Sequence, residues 1–250
     1  MFTIRVDRVN DLRLALLPMA TLCDAADIKC TNRNLSIIVL PTRYSFVAAL
    51  RLLPSFFTSF QFHPVGEFNA YRANFYLKLF TTNISNMYSD DLSVTLLLNR
   101  HNALAPVKFE DPHSGYLQYS ALLLARPHNV DINPIDLRVF FAIRSAEFIN
   151  TLSDLVVLPT EYVCVVVTKT GALFKSARRE IVFSTEKNEC IMGGIGEGDK
   201  VLFVMSPSPM YFFYHIAYTT NLVWFFNTSN SRTLLSCCVG LHASYMVSFT

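Results

Sequence analysis

Three features of this sequence have the residue types that chemistry needs. Gly193-Gly-Ile-Gly-Glu-Gly198 is its glycine-rich cluster, and backbone N–H groups in such a loop can cradle phosphate. It lacks the Gly-Lys-Ser/Thr ending of a nucleotide-binding loop and the spacing of a dinucleotide fingerprint, so it reads as a loop or hairpin. Asp90-Asp91 pairs two carboxylates that could bind a metal or exchange protons, but it stands between a short polar stretch and a strand pattern, where a solvated turn is the simpler reading. The six histidines (His63, His101, His113, His128, His215, His242) are scattered, and no Gly-x-Ser-x-Gly accompanies the serines. Cys23, Cys30, Cys164, Cys190, Cys237 and Cys238 contain no Cys-x-x-Cys, which points to buried reduced thiols. Neither an enzyme nor a cofactor or metal site is expected.

Composition narrows the class further. The 250 residues are 52% hydrophobic and 16% charged, enough for one large or two modest cores and incompatible with global disorder. Mean hydropathy is +0.32, yet no run reaches the ~18 to 20 apolar residues of a spanning helix. The best candidate, 211–226, is interrupted by His215, Thr219, Thr220 and Asn221. Arg5, Asp7, Arg8 and Asp11 break the N-terminal stretch where a secretion signal needs an apolar core, so an intracellular protein with no membrane partner is expected. Aromatic residues at 211–214, 218, 224 and 225 fit core positions better than a base-stacking platform. A net charge of +2 specifies no partner.

The elements that would position any site are arranged around Ala125-Arg-Pro-His-Asn-Val-Asp-Ile-Asn-Pro-Ile-Asp136. Pro127 and Pro134 exclude a helix or central strand here and predict an extended connector over 126–136. Similar patterns begin on either side of it. Thr3 to Pro18 and Phe141 to Pro159 each read as strand, amphipathic helix, proline, which predicts two copies of one architecture, 1–125 and 137–250.

Before the connector the pattern predicts strands at 1–6, 28–30, 35–40, 44–53, 61–64 and 71–79, then at 92–98, 107–110 and 116–124. Helices are predicted from Val9 to near Pro18 and over 81–88. After it come strands at 137–144, 162–168, 173–175, 180–184, 200–205, 221–226, 232–239 and 243–249. The accompanying helices are 146–155 and one from Pro207 through His215. The fold class is therefore α+β, with two short helices per half packed on antiparallel sheets.

This order resembles that of the sliding clamps of the proliferating cell nuclear antigen family, across essentially the full chain. The best local matches are Asp90-Asp-Leu-Ser-Val-Thr-Leu with Val107-Lys-Phe-Glu110, Glu161 to Ala177, and Gly240 to Val247. The resemblance implies two similar clamp domains, helices lining a hole and three chains closed head to tail around duplex DNA. Localisation would be nuclear or in a viral replication compartment. The implied work is that of a polymerase processivity factor, tethering replication and repair proteins through short peptides docked under the connector. An alternative within the same fold is a subunit of a heteromeric, checkpoint-type ring with little DNA affinity of its own.

Residue by residue, the resemblance implies a peptide pocket at Tyr44, Val47, Ile132, Pro134, Tyr245 and Met246. It implies subunit contacts along edge strands 116–124 and 175–183, through Tyr116, Tyr119, Leu122, Lys175, Arg178 and Ile181. The predicted inner helices are poor in Lys and Arg. DNA contact is therefore expected to be weak, not sequence-specific and carried by Arg8, Arg13, Lys78 and Arg144.

Overall fold

The computed structural model describes residues 1–63, 69–87, 89–99, 102–111 and 113–250. The predicted element ends at Pro64 and Tyr88, and His101, lie outside them. The chain is α+β, with four α-helices among the described residues and antiparallel strand pairing. It divides into two compact units, one of Met1–Leu40 with Ala49–Asp131 and one of Pro41–Ala48 with Ile132–Thr250.

In the first unit the order is β1 (Phe2–Val6), α1 (Val9–Leu22), β2 (Ala26–Thr31), β3 (Leu35–Val39), β4 (Phe46–Leu52), β5 (Ser59–Phe62), β6 (Ala70–Phe75), α2 (Leu77–Ser85), β7 (Ser93–Leu98), β8 (Leu104–Glu110) and β9 (Leu117–Ala125). The first three residues of β4 belong to the second unit. β1 pairs with β5 and β7, and β7 continues through β8 to β9; β2 pairs with β3 and β6. Two residue pairs, Asn74 with Ala125 and Phe75 with Leu124, join β6 to β9.

The second unit runs β10 (Ile135–Arg144), α3 (Ser145–Leu155), β11 (Val163–Thr168), β12 (Gly171–Lys175), β13 (Glu180–Ser184), β14 (Cys190–Gly193), β15 (Val201–Met205), α4 (Met210–Tyr218), β16 (Leu222–Thr228), β17 (Thr233–Val239) and β18 (Ala243–Phe249). Strand for strand this is the order of the first unit. The pairing repeats as well: β10 with β14 and β16, β16 through β17 to β18, and β11 with β12 and β15. A periodic sequence explains why each element forms. In α3, for example, Phe148, Thr151, Leu152 and Leu155 recur on one buried face, so the helix is held by its stripe rather than by a side-chain cap.

Each unit has its own core. In the first, Val9, Leu16 and Met19 of α1 and Leu77, Phe80 and Ile84 of α2 are buried with strand residues such as Ile28, Val94 and Phe109. In the second, Phe141, Phe148, Phe174 and Phe203 surround Phe225, with ring centroids 5.4–6.0 Å from it. Phe46, Phe212, Phe213 and Phe249 form another aromatic cluster there.

Several boundaries differ from the sequence reading, β14 forms where no strand was expected, and three differences bear on the candidate surfaces. The helix α1 continues through Pro18 to Leu22. Pro18 lacks the N–H that would bond Leu14's carbonyl, but Leu16, Pro18 and Met19 are all buried, so packing carries the helix past it. The predicted strand over 71–79 ends at Phe75 and α2 begins at Leu77, because Leu77, Phe80, Thr81 and Ile84 already follow the helical i, i+3, i+4, i+7 pattern. Lys78 thereby sits in the first turn of a helix rather than at a strand's end. Finally, 175–183 is not one edge strand: Ser176 N–H bonds the Arg179 carbonyl at 3.0 Å, turning the chain so that Lys175 lies inside β12 and β13 alone reaches the edge.

Candidate interaction surfaces

An open strand edge presents an unfilled row of hydrogen-bonding groups, and among the described residues β9 and β13 each have one. β9 pairs with β8 from Leu117 to Leu123, and on its other side only Leu124 and Ala125 have strand partners among the described residues. Leu117, Tyr119 and Leu123 stand exposed along it, Tyr119 at 67%. Leu122 points the other way, is buried and lines the first unit's apolar interior, so it takes no part in an exposed contact. Tyr116 precedes the strand and its hydroxyl donates to Gln118 Oε1.

β13 has β12 on one side and no strand on the other among the described residues. Val182 projects from it at 69% exposure. The charges expected to serve this edge already have intramolecular partners: Lys175 Nζ lies 2.6 Å from Glu180, and Arg178 Nε 3.7 Å from Glu161. Glu161 accepts backbone N–H bonds from Leu158 and Val157, and these, with Arg178, hold its carboxyl below the usual range. Ile181 helps form a polar groove of about 380 Å³ with Arg144, Glu147, Asp154 and Lys187.

On the helices, three of the four expected DNA contacts face carboxylates. Arg8, immediately before α1, lies 3.8 Å from Asp91 and 4.0 Å from Asp11, and Arg13 lies 3.3 Å from Asp90. Lys78 in α2 is 3.3 Å from Asp24. Arg144 precedes α3 and is exposed beside the groove containing Glu147 and Asp154. The Asp90-Asp91 turn is thus a structural support: Leu92 and Asp90 carbonyls accept the Val9 and Asn10 N–H groups, while the carboxylates receive the arginines. Leu14 and Leu17 of α1 and Leu79 of α2 are exposed, so this helical surface is mixed rather than basic.

The expected peptide pocket falls within the second unit but does not assemble as one surface. Tyr245 and Met246 are both nearly wholly buried, and neighbours along a strand point to opposite faces. Tyr245 lies opposite Cys237, and burial pushes its phenol well above the usual tyrosine range. Val47 is buried; Tyr44 is half-buried and stacks on Phe46, centroids 5.8 Å apart. Ile132 is half-buried and Pro134 exposed, its carbonyl accepting the Ser229 N–H at 2.9 Å.

The glycine cluster is likewise structural. β14 ends at Gly193, and a Cβ on Gly194 (φ +78°) would stand 1.7 Å from the Arg138 carbonyl oxygen. Burial raises the Cys30 and Cys237 thiols far above their ordinary range. Among the described residues no cluster of three or more His, Cys, Asp or Glu could hold a metal ion, and no helix is long and apolar enough to cross a membrane. Sequence reasoning missed Asp91, Asp90 and Asp24 as partners of Arg8, Arg13 and Lys78, because each of these pairs joins segments far apart in the sequence. No family model matches this chain, and neither does any curated protein.

Proposed function

We propose that this chain is a clamp subunit of the proliferating cell nuclear antigen type, a DNA polymerase processivity factor that joins head to tail into a ring around duplex DNA. The clamp fold, with two domains of one kind, belongs to the same reading. The carrying observation is the duplicated order and pairing together with the two open edges. In the second unit, β18 is flanked by β17 and by the segment that begins β4, with the Thr250 N–H donating to the Ser45 carbonyl at 3.0 Å. Under the duplication β9 corresponds to β18 and β13 to β4. Laying β13 of one copy on β9 of the next would repeat a pairing the chain already makes. Such a contact joins unlike surfaces, so it propagates until rotation closes it, and the resemblance to sliding clamps implies three copies.

Retention on DNA in a ring needs no tight grip, only weak phosphate contacts from Arg8, Arg13, Lys78 and Arg144. Partner proteins would dock short peptides near the connector, with Tyr44, Ile132 and Pro134 as the accessible members of the expected set. A nuclear or viral replication compartment fits that work. One observation favours a second reading, a subunit of a mixed ring whose partners supply the positive charge: three of the four cations are paired with Asp, and Leu14, Leu17 and Leu79 are exposed beside them.

Sedimentation of the purified chain, followed by retention on circular and linear duplex, separates the readings. A closed homo-oligomer held on the circle and lost from the linear duplex is the expected result. A monomer that stays monomeric at tens of micromolar would overturn the homomeric ring and leave the mixed one.

A further inference from the structure

The first half of the connector lies on a polar ladder built by β2 and β6. Asp27 is paired with Asn74 and Lys29 with Arg72, and residues two apart on a strand share a face. At the first rung Asp27, 4% exposed, turns Oδ2 toward the backbone N–H groups of His128 (2.8 Å) and Asn129 (3.2 Å). Its Oδ1 accepts Asn74 Nδ2 at 2.8 Å and lies 3.1 Å from His128 Nδ1. At the second rung Asp131 receives Lys29 Nζ at 2.9 and 3.0 Å, and Arg72 Nη2.

We propose that this ladder is a latch that fixes the course of the connector, with Asp27 as its positioning residue. A buried carboxylate is costly unless its lone pairs are filled, and two of the donors filling Asp27 are connector amides. Asn129 sets the path beyond this rung. Its φ of 59° turns the chain immediately after the two N–H groups that Asp27 holds, a left-handed conformation that Asn and Gly accept and β-branched residues resist. Charge favours the same seating, since anionic Asp131 lands between Lys29 and Arg72. Residues 126–131 therefore form a fixed strap on the first unit rather than a loose tether. This inference is independent of the proposed function.

The test is hydrogen–deuterium exchange on the full chain and its variants. In the unaltered protein the His128 and Asn129 amides should exchange far more slowly than in an unstructured peptide of the same sequence. Asp27→Asn should speed them by about tenfold or more, the loss of hydrogen bonds to a charged acceptor, while β10 and β17 amides keep their rates. Asn129→Val should do the same, and Asn129→Gly should restore slow exchange. The Asn129 pair lies outside the strands and decides the matter even where Asp27→Asn fails to fold. Fast exchange in the unaltered chain, or equal rates in the Val and Gly variants, would overturn the latch.

Discussion

The Arg13 guanidinium stands 3.3 Å from the Asp90 carboxylate, across the turn whose carbonyls receive the first N–H groups of α1. Arg8 with Asp91 and Lys78 with Asp24 repeat the arrangement. Exposed pairs of this kind add little stability, but each places a negative charge where a phosphate would have to approach. Changing Asp24, Asp90 and Asp91 together to Asn should therefore strengthen duplex binding and steepen its salt dependence. Each cation freed to meet phosphate adds about 0.9 to the log-log slope. A titration at several salt concentrations reads this directly; an unchanged slope would mean that these cations do not face DNA.

Tyr119 and Val182 are the exposed side chains in the middle of the two open edges. Lysine at an edge strand is a common block to further strand pairing. Tyr119→Lys and Val182→Lys should each weaken self-association by about tenfold or more with little change in the folding of either unit, since neither side chain is in a core. Sedimentation equilibrium gives the association constant. Full association by both variants would place the contact elsewhere.

The periodic elements were legible because their burial is local: Phe148, Leu152 and Leu155 mark α3, and Val163, Val165 and Val167 alternate along β11. What was not legible depended on partners. Leu77 to Leu79 alternates plausibly as a strand, and only the packing of Leu77, Phe80 and Ile84 into the first unit's core decides for a helix. The resemblance puts Tyr245 and Met246 at a docking surface, yet β17 pairs with their strand and both side chains are buried. Asp27 and Asn74 are 47 residues apart, and nothing in either neighbourhood announces their hydrogen bond.

His215 adds a pH dependence. Burial in α4 lowers its pKa from the ordinary 6.5, because desolvation penalises the imidazolium. The unfolded chain then binds this proton at higher pH than the folded one, so acid favours unfolding. The contribution is complete above about pH 6.5 and fades as pH falls from there through the lower folded value. Replacing His215 by Gln should flatten this part of the stability profile between pH 7 and 5. Denaturant midpoints across that range provide the check; parallel profiles for the two proteins would remove His215 as the cause.

The interior of the first unit contains an apolar space of about 30 Å³ among Ile4, Leu12, Leu16, Ile28, Val94 and Leu96. Side chains around such a gap lose dispersion contacts, and water gains nothing by entering because no polar partner is offered. Filling the gap should help and enlarging it should hurt. Val94→Ile adds one methylene beside the space and should stabilise the first unit by up to about 0.8 kcal/mol, provided the new methyl finds an unstrained rotamer. Leu16→Ala removes buried carbon from its wall and should cost about 2 to 5 kcal/mol, the transfer loss plus an enlarged cavity. Both are read from urea unfolding followed by a probe placed in the first unit, since two units need not unfold as one transition. A destabilised Val94→Ile would show that the wall is already packed to its limit and that the space is not available to a side chain.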